Sequence, residues 1–366
     1  AFDTVNHKIL LAKLEHYGIR SKAYELLEDF LNNRVQYVKV NNAISFIGHL
    51  KRGIPQGTQK GPTLFSIYTN DMKELETHSR ILKFADDTVL VFDIDPSQLE
   101  EASKQIHEDI TLINEYYENN RLTLNLKKAQ ALIFGNVPQS LRTVLNDFKI
   151  TPVENMKYLG IMIDDKLNFQ TALSTLRKSL NQAIGAAYVM RQTLTVKPLM
   201  DFYFGHFQSH VTYCNFFLIR LTSKDIADLQ ILQNKILKLI HNLPPRTNTH
   251  EIYDKYAKNV LPIMGLIFKS ICVMIKKSLI EQDAALVHIE QLRSNRVNKL
   301  KIMNYNTKIR GNDIEIIGVQ IYNSLPDELR LIGSLNLFKS RIKSFLLSKN
   351  SSLASIQQIY TKNKLI

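Results

Sequence analysis

Cysteine and tryptophan are the scarcest residues of this 366-residue chain, which contains two cysteines and no tryptophan. Two cysteines, Cys214 and Cys272, are too few for a disulfide framework or a cysteine-rich zinc knuckle. The longest apolar run, residues 260–275, contains Lys269 and is too short to span a bilayer. The sequence has no recognisable signal peptide, so we expect a nuclear or cytoplasmic protein that is neither secreted nor bound to a membrane.

Basic residues outnumber acidic residues by 47 to 34, and the two kinds are unevenly distributed. Residues 84–120 contain ten acidic residues and one lysine, whereas residues 235–310 contain fourteen basic and five acidic residues. The net charge of +13 suits a polyanionic partner such as nucleic acid. A lysine-rich, solvated surface without such a partner is the alternative.

The most informative motif is Phe84-Ala85-Asp86-Asp87, which lies between two apolar stretches. This pattern predicts a β-hairpin whose two strands are joined by a two-residue acidic turn, with both carboxylates at its tip. Neighbouring carboxylates repel each other unless a cation lies between them, and magnesium binds such oxygen ligands. Taken alone, an acidic turn is more often simply solvated.

Further segments surround this motif in a fixed order. They are Ala1-Phe2-Asp3-Thr4-Val5, Gly53-Ile54-Pro55-Gln56-Gly57, Leu64-Phe65-Ser66-Ile67-Tyr68-Thr69-Asn70-Asp71, Asn125-Leu126-Lys127-Lys128 and Lys157-Tyr158-Leu159-Gly160-Ile161. Together these segments resemble the palm of the reverse transcriptases of non-LTR (LINE-type) retrotransposons, with the Jockey-like elements as the nearest group. The resemblance is strong to about residue 165. Beyond it, Leu229-Gln230-x-x-Gln233-Asn234-Lys235 and Asn323-Ser324-Leu325-Pro326 are typical of the thumb and tail of such elements.

The resemblance implies an α+β fold, in which a reverse-transcriptase palm is followed by a helical thumb and a mostly helical C-terminal region. The palm, an antiparallel sheet backed by helices, is expected at residues 1–165, with the fingers largely missing from an N-terminally truncated chain. A helical thumb-like region is expected at residues 166–245, and a basic, mostly helical region at 246–366.

Local patterns predict the individual elements. Helices are expected near 7–17, 21–32, 63–76, 97–119, 223–242 and 334–349, and strands at 35–40, 44–50, 80–93, 122–125, 131–135 and 158–163. Ser97 and Glu100 have the spacing of a capping box at the start of the fourth helix. That helix has an apolar stripe that would pack behind the sheet.

A polymerase of this family joins a primer 3′-hydroxyl to a nucleotide, with two metal ions clamping the attacking and leaving oxygens. The resemblance implies that Asp3 and Asp86 are the main ligands of two Mg²⁺ ions and that Asp87 is a third carboxylate nearby. Mn²⁺ is an alternative ion. A plain helix-capping role is the alternative for Asp3, because aspartate is a common N-cap.

The other candidate site residues also rest on the resemblance. Pro55, Gln56 and Gly57 would position the nucleotide and the template base, although Thr58-Gln59-Lys60 depart from the small and apolar residues that usually follow. Lys128 would protonate the leaving pyrophosphate, although alanine replaces the usual threonine at position 129. A solvated basic turn between two strands is an equally good interpretation of Lys128.

Tyr158-Leu159-Gly160 resembles the primer grip, a hairpin that holds the primer end, and the alternative is an ordinary strand from residue 158 to 163. The second acidic pair, Asp164-Asp165, is interpreted as a turn. Basic residues on the polar faces of the later helices are candidate nucleic-acid contacts. These are Arg177, Lys178 and Lys238.

The leading hypothesis is therefore an RNA-directed DNA polymerase that takes an RNA template, a DNA primer and deoxynucleoside triphosphates. We expect the truncated chain to polymerise poorly or not at all. A catalytically inactive nucleic-acid-binding remnant is the first alternative. Another palm enzyme, such as an intron maturase or an RNA-templated RNA polymerase, is the second alternative. The Phe84-Ala85-Asp86-Asp87 motif argues against it, since RNA-copying viral polymerases more often have glycine before the Asp pair.

Overall fold

A computed structural model describes residues 1–135, 139–213, 215–281, 300 and 314–348 of the protein. The chain divides into two compact units, Ala1–Glu154 and Asn155–Ile366. The first unit ends shortly before residue 165, where the sequence predicts the end of the palm. Cys214, residues 282–299 and 301–313 of the predicted basic region, and the residues after 348 lie outside the described part of the chain.

The helices of the first unit lie near predicted positions, except for the last one, which the sequence did not predict. They are α1 (His7–His16), α2 (Ser21–Leu31), α3 (Gly61–Tyr68), α4 (Leu99–Asn119) and α5 (Gln139–Asp147). The Asn6 side chain caps α1 by accepting a hydrogen bond from the Ile9 amide at 3.2 Å. The helix expected at 63–76 is shorter than predicted, because it gives way to a 3₁₀ turn at Asn70–Glu74.

The strands of the first unit are short. They are β1 (Arg34–Gln36), β2 (Lys39–Val40), β3 (Ala43–Ile44), β4 (Gly48–Leu50), β5 (Arg80–Phe84), β6 (Asp87–Val91), β7 (Gln130–Leu132) and β8 (Thr151–Val153). Antiparallel pairs form between β1 and β4, β2 and β3, and β5 and β6, whereas β7 and β8 are parallel. The mixture of helices and small sheets agrees with the expected α+β class.

The expectation of one antiparallel palm sheet is wrong for the described residues, in which the strands form separate two-stranded pairs. The Asp3 motif is helical, and one segment expected to be a strand adopts another conformation. Phe2–Thr4 forms a 3₁₀ turn, closed by the Thr4 amide donating to the Ala1 carbonyl at 3.1 Å. Residues 122–125 form no strand, because the Leu122 amide turns back to the Tyr117 carbonyl of α4 at 2.8 Å.

Two apolar clusters stabilise the first unit, and α4 contributes to both. One cluster lies among α1, α3 and α4 and includes Leu10, Leu14, Phe65, Tyr68 and Ile113. The other lies between α4 and α5 and includes Ile106, Ile110, Leu141, Leu145 and Ile150. Each fully buried side chain of this size contributes about 1.5–3 kcal/mol. The predicted apolar stripe of α4 is therefore confirmed.

The second unit begins with a hairpin and is otherwise helical. Its elements are β9 (Asn155–Tyr158), β10 (Ile161–Asp164), α6 (Gln170–Met190), α7 (Val196–Phe202), α8 (Ser209–Thr212), α9 (Ser223–Ile240), α10 (Thr249–Glu251), α11 (Ile263–Glu281), α12 (Ile314–Asn323), α13 (Asp327–Arg330) and α14 (Leu335–Ser348). One apolar core contains residues from Ala172 to Leu346. Among the described residues, this apolar core therefore contains side chains from both sides of residue 245, where the thumb-like region was expected to end.

The two segments of this unit that resemble the thumb and tail of non-LTR elements, residues 229–235 and 323–326, contribute hydrogen bonds to its packing. The buried Gln233 amide donates to the Tyr203 hydroxyl at 2.8 Å and to the Leu261 carbonyl at 2.9 Å, and its oxygen accepts from Tyr253 at 2.8 Å. The Asn323 side chain bonds both backbone groups of Leu300. The Gln233 amide thus satisfies buried polar groups between helices, and Asn323 joins the end of α12 to Leu300. In the described residues, no helix is both long and apolar enough to cross a membrane.

Candidate functional site

The acidic motif forms the predicted hairpin, with Phe84 paired to Asp87 across the turn. The two turn residues are Ala85 and Asp86, and Ala85 has a left-handed backbone with φ of 53°. Asp86 and Asp87 are both exposed. The expectation that both carboxylates occupy the turn is wrong in detail, because Asp87 is the first residue of β6 and pairs with Phe84.

Helix α4 fixes this hairpin at two points. At its base, the buried Asp109 carboxylate accepts hydrogen bonds from the backbone amides of His78, at 3.0 Å, and Ser79, at 2.8 Å. Nearer the tip, the hydroxyls of Thr88 and Tyr117 share a hydrogen bond of 2.7 Å. Burial raises the pKa of Tyr117; the bond to Thr88 opposes this rise, and the negative charge of Asp86 adds to it. The acidic tip is thus supported by a rigid element.

The loop Gly53–Gly57 packs against the segment that carries Asp3. The Gly53 amide donates to the Val5 carbonyl at 2.8 Å, and the Ile54 amide donates to the Phe2 carbonyl at 2.9 Å. A Cβ atom at Gly53 would lie 2.8 Å from the Asp3 carbonyl oxygen, and Gly53 has φ of 92°. Only glycine therefore fits at this position without displacing one of the two segments.

Gln56 connects the loop directly to Asp3. Its side-chain nitrogen donates to an Asp3 carboxylate oxygen at 2.9 Å, and both side chains are exposed. Pro55 and Gly57 complete the loop, and Gly57 also has a positive φ, of 77°. The structure thus brings two of the predicted motifs together, through a contact that the sequence did not predict.

The residue types fit magnesium, which takes one or two carboxylates together with substrate phosphates. Among the described residues, however, no three or more histidine, cysteine, aspartate or glutamate side chains are gathered as metal ligands. The expected cluster of Asp3, Asp86 and Asp87 is therefore not formed. One Asp3 carboxylate oxygen accepts the hydrogen bond from Gln56.

A polar network lies behind these motifs. Lys13 of α1 donates to the Tyr68 carbonyl at 2.7 Å, the Asn120 side chain at 2.6 Å and the Asp71 carboxylate at 2.9 Å. Tyr116 of α4 also donates to Asp71, at 2.5 Å. Burial acts to raise the pKa of Asp71, but the bonds from Lys13 and Tyr116 outweigh it, so the pKa is lowered. The network joins α1, α4 and the 3₁₀ turn after α3.

Lys83 lies in β5, three residues before Asp86, and interacts electrostatically with Asp71 and Lys13 of the polar network. Its ammonium group is 3.4 Å from the Thr69 carbonyl oxygen. Burial lowers the pKa of Lys83 to about 8, the charge of Asp71 opposes this fall, and the charge of Lys13 adds to it. The strand that leads to the acidic turn therefore contains a half-buried lysine.

Lys128 has different surroundings from Lys83. It ends a 3₁₀ turn, Leu126–Lys128, and its side chain is exposed. The strand predicted after it is present but shorter, as β7. Lys128 therefore lies in an exposed turn, as one interpretation predicted. That interpretation is wrong about the strand before the turn, because residues 122–125 form no strand. The role of Lys128 as a proton donor stays a prediction.

Tyr158, Leu159 and Gly160 form the end of the β9–β10 hairpin, in which Tyr158 pairs with Ile161. Leu159 and Gly160 both have positive φ, 44° and 86°, which is typical of a type I′ turn. The Tyr213 hydroxyl donates to the Leu159 carbonyl at 2.5 Å, and its ring lies against Gly160. The ordinary strand from residue 158 to 163 is therefore excluded, and the hairpin interpretation is supported.

The interpretation of the second acidic pair as a turn is confirmed in part, because Asp164 ends β10 and Asp165 lies in the turn that follows. The Asp164 side chain is buried and accepts from the backbone amides of Lys166, Asn168 and Phe169 at 3.2, 3.0 and 2.7 Å. These bonds use both carboxylate oxygens. Asp164 therefore organises the turn into α6.

The three basic candidates of the second unit have unequal surroundings. Arg177 forms ion pairs with Asp225 at 3.2 Å and Asp228 at 2.8 Å, which join α6 to α9. Lys238 donates to the Pro245 carbonyl at 2.6 Å. Lys178 is exposed. The predicted contacts with nucleic acid are not tested by these observations, but Arg177 and Lys238 already have partners within the chain.

Sequence reasoning missed Lys13, Lys83 and Tyr213. A signal existed for the polar network, because Tyr68 and Asp71 belong to one of the family phrases. No sequence signal identified Tyr213, which lies 54 residues from its partner Leu159.

Comparison with known proteins gives a consistent result. Residues 1–163 match the family described as reverse transcriptase (RNA-dependent DNA polymerase). The chain is 26% identical over 271 residues to the RNA-directed DNA polymerase from mobile element jockey of Drosophila melanogaster, covering 69% of this chain and 28% of that protein. It is 27% identical over 192 residues to the Drosophila funebris jockey polymerase, covering 50% and 21%.

A third relative is the probable RNA-directed DNA polymerase from transposon X-element of Drosophila melanogaster. It is 26% identical over 250 residues, covering 66% of this chain and 27% of that protein. The chain thus spans less than a third of the length of each of these relatives. With the hairpin, the Asp3 segment and the glycine loop in one unit, these matches show that residues 1–163 are similar to the reverse transcriptases and that the chain is similar to the polymerases of Jockey-like non-LTR mobile elements.

Proposed function

We propose that this chain carries the polymerase palm of an RNA-directed DNA polymerase of a non-LTR retrotransposon. The observation that carries the proposal is the match of residues 1–163 to the reverse-transcriptase family. The contact between the Asp3 segment and the glycine loop, together with the acidic hairpin in the same compact unit, supports it. The palm would extend to about residue 165, with a helical thumb at 166–245 and the basic region after it.

In this proposal, Asp3, Asp86 and Asp87 hold Mg²⁺. The ions supply charge stabilisation for the oxygens of the primer end and the nucleotide. Gln56 is a positioning residue, because its side-chain amide donates to the Asp3 carboxylate and so joins the Gly53–Gly57 loop to the 3₁₀ turn that contains Asp3. Gln56 bonds only one oxygen of this carboxylate, so the other oxygen would be available to a cation. Pro55 and Gly57 shape the backbone on which the nucleotide and template base would lie.

Two further roles are proposed on the resemblance. Lys128 donates a proton to the leaving pyrophosphate, for which its exposed ammonium group is accessible. The turn at Leu159 and Gly160 holds the primer end, and the hydrogen bond from Tyr213 keeps that turn in one conformation. The substrates are an RNA template, a DNA primer and deoxynucleoside triphosphates.

Primer extension tests the proposal. The full chain is incubated with an RNA template, an annealed DNA primer, deoxynucleotides and Mg²⁺, and product length is measured on a gel. We expect weak, Mg²⁺-dependent extension that Asp86→Asn reduces by at least 100-fold, because a metal ligand loses its charge. The control is Asp93→Asn, which removes an exposed carboxylate just after β6 and should leave extension unchanged. Equal extension by wild type and Asp86→Asn would refute the assignment.

A second function, nucleic-acid binding without catalysis, is favoured by one observation. The described residues contain no group of three or more side chains gathered as metal ligands. In this case, the wild-type chain binds a primer–template in a salt-dependent way. It extends no primer at any Mg²⁺ or Mn²⁺ concentration.

A further inference from the structure

The segment from residue 30 to residue 70 contains no aspartate or glutamate. Its five lysines and arginines are Arg34, Lys39, Lys51, Arg52 and Lys60. Acidic residues resume at Asp71, which is paired with Lys13. This segment lies between the Asp3 and Asp86 motifs and includes the Gly53–Gly57 loop, and all of its charged lysine and arginine side chains are positive.

The first half of this segment is a long β-ribbon, residues 34–50. Its base is the β1–β4 pair, in which Arg34 pairs with Leu50, and its outer part is the β2–β3 pair, in which Lys39 pairs with Ile44. The register changes by one residue between the two pairs, which is the signature of a β-bulge. A bulge twists and bends the ribbon, so that its outer part turns relative to its base.

Beside the base of this ribbon lies a cavity of about 460 Å³. Three cationic residues, Lys8, Arg34 and Lys51, line it. Two histidines, His7 and His49, also line it. Three asparagines and one leucine complete the lining, and none of the lining residues is acidic. The volume lies in the range of ligand sites, but the lining differs from the apolar lining usual for small organic ligands.

The cationic groups of the cavity are not neutralised within the described chain. Lys8, Arg34 and Lys51 take part in none of the ion pairs formed by the described residues. They come from three separate segments, namely the first turn of α1, the start of β1 and the residue after β4. Three converging cations without a counter-charge are suited to bind an anion.

The ribbon beyond the cavity exposes aromatic and aliphatic side chains. Tyr37 is 57% exposed and Phe46 is fully exposed at 100%. Val38, Val40 and Ile44 are also more than half exposed. Aromatic faces beside cationic groups are the arrangement that proteins use to bind single-stranded nucleic acid, in which bases stack and phosphates are paired.

The cavity is connected to the predicted site through shared residues. His7 lines the cavity, and its Nε2 atom lies 2.8 Å from the Gly53 carbonyl oxygen. Lys51 lines it two residues before Gly53, which packs against Asp3. A strand bound in the cavity therefore lies against the segments that carry Asp3 and Gln56.

We propose that this cavity and the exposed ribbon form a binding surface for single-stranded nucleic acid. Lys8, Arg34 and Lys51 pair with backbone phosphates, and Tyr37 and Phe46 stack with the bases. The proposal rests on the proposed polymerase function, for which it supplies a path for the unpaired strand. A free nucleoside triphosphate shares the phosphate chemistry but would make no use of the two exposed aromatic residues.

Anisotropy of fluorescently labelled single-stranded RNA and DNA oligonucleotides tests the surface. Affinity is measured across a range of salt concentrations for the full chain and for a triple variant, Lys8→Gln, Arg34→Gln and Lys51→Gln. Three lost phosphate contacts should reduce the slope of log K against log salt by about 2, at about 0.7 per phosphate of a single strand. The control triple variant, Lys22→Gln, Lys73→Gln and Lys224→Gln, removes the same charge from exposed helix positions and should keep the wild-type slope.

The aromatic part is tested with Tyr37→Ala and Phe46→Ala. Each substitution should weaken binding about tenfold, because stacking contributes about 1–3 kcal/mol per base, and should leave the salt slope unchanged. Both side chains are exposed, so thermal unfolding should be unaffected. Exposed Tyr17→Ala is the aromatic control.

Competition and activity distinguish the outcomes. If excess free deoxynucleoside triphosphate displaces the oligonucleotide, and the aromatic substitutions have no effect, the cavity binds nucleotide and the proposal is wrong. If neither set of variants changes oligonucleotide binding, the ribbon face is free for a protein partner and the proposal is again wrong. If the wild type extends a primer in either case, the proposed polymerase function is still supported although the binding surface is refuted. Failure of this proposal is therefore distinguishable from failure of the proposed function.

Discussion

Replacement of Lys83 by methionine should stabilise the protein near neutral pH and change how its stability depends on pH. Lys83 lies half-buried in β5, and its pKa falls from 10.5 to about 8. A shift of about 2.5 units corresponds to about 3.4 kcal/mol at 1.36 kcal/mol per unit. Because the group is partly exposed, solvent screening reduces this figure to about 1–2 kcal/mol.

The sign follows from proton binding. Between pH 8 and about 10.5 the unfolded chain keeps the Lys83 proton while the folded chain has lost it, so the unfolding free energy of the wild type rises with pH. Below pH 8 both states are charged, and the folded state carries the full penalty of burying the ammonium group. Methionine has no such penalty and loses only one long hydrogen bond, 3.4 Å to the Thr69 carbonyl.

Urea unfolding followed by far-ultraviolet circular dichroism at pH 7, 8, 9 and 10 measures the difference. We expect the Lys83→Met variant to exceed the wild type by about 1–2 kcal/mol at pH 7, with the difference shrinking towards zero by pH 10. Lys22→Met, at an exposed position of α2, is the control and should show no such trend. A difference that stays constant across this range would refute the reasoning.

Two further substitutions test contacts described above. Gly53→Ala places a methyl group 2.8 Å from the Asp3 carbonyl, so primer extension should fall at least tenfold, whereas Gly57→Ala has similar left-handed strain but no neighbour within 4 Å and should fall much less. Equal losses in the two variants would contradict the role of the Asp3 contact. Gln233→Leu removes the hydrogen bonds to the buried Tyr203 hydroxyl and Leu261 carbonyl, whereas Tyr253 keeps its bonds to Gln230 and Asn234. It should lower the unfolding free energy by about 2–4 kcal/mol in urea denaturation, with exposed Gln192→Leu as control.

Local sequence patterns predicted the helices and hairpins well. Helices α1, α2 and α9 begin at or next to the predicted residues, because caps and apolar periodicity are local signals. The capping box expected at Ser97 and Glu100 is wrong. The Ser97 hydroxyl donates to Asp95 at 2.7 Å, and α4 begins at Leu99. A serine with two acidic neighbours has more than one local partner, and its spacing does not decide between them.

The sheet and the site were harder to predict, because they depend on contacts between distant residues. The Asp3–Gln56 bond joins residues 53 apart, and the Lys13–Asn120 bond joins residues 107 apart. Motif order indicated that the first pair belongs to one site, but not that one side chain would hold the other. Burial of Lys83 was equally invisible, because alternation in β5 cannot show which neighbours shield its inward face.

Alanine is an unusual residue for the first position of the hairpin turn. A left-handed backbone at Ala85 costs roughly 1 kcal/mol relative to glycine. Glycine, however, would give the unfolded turn and the folded turn many more conformations. Because alanine disfavours this conformation, the turn is held by its supports, which are the β5–β6 pairing and the Thr88–Tyr117 hydrogen bond. The position of the Asp86 carboxylate therefore depends on those supports, since loosening them would release the backbone cost at Ala85.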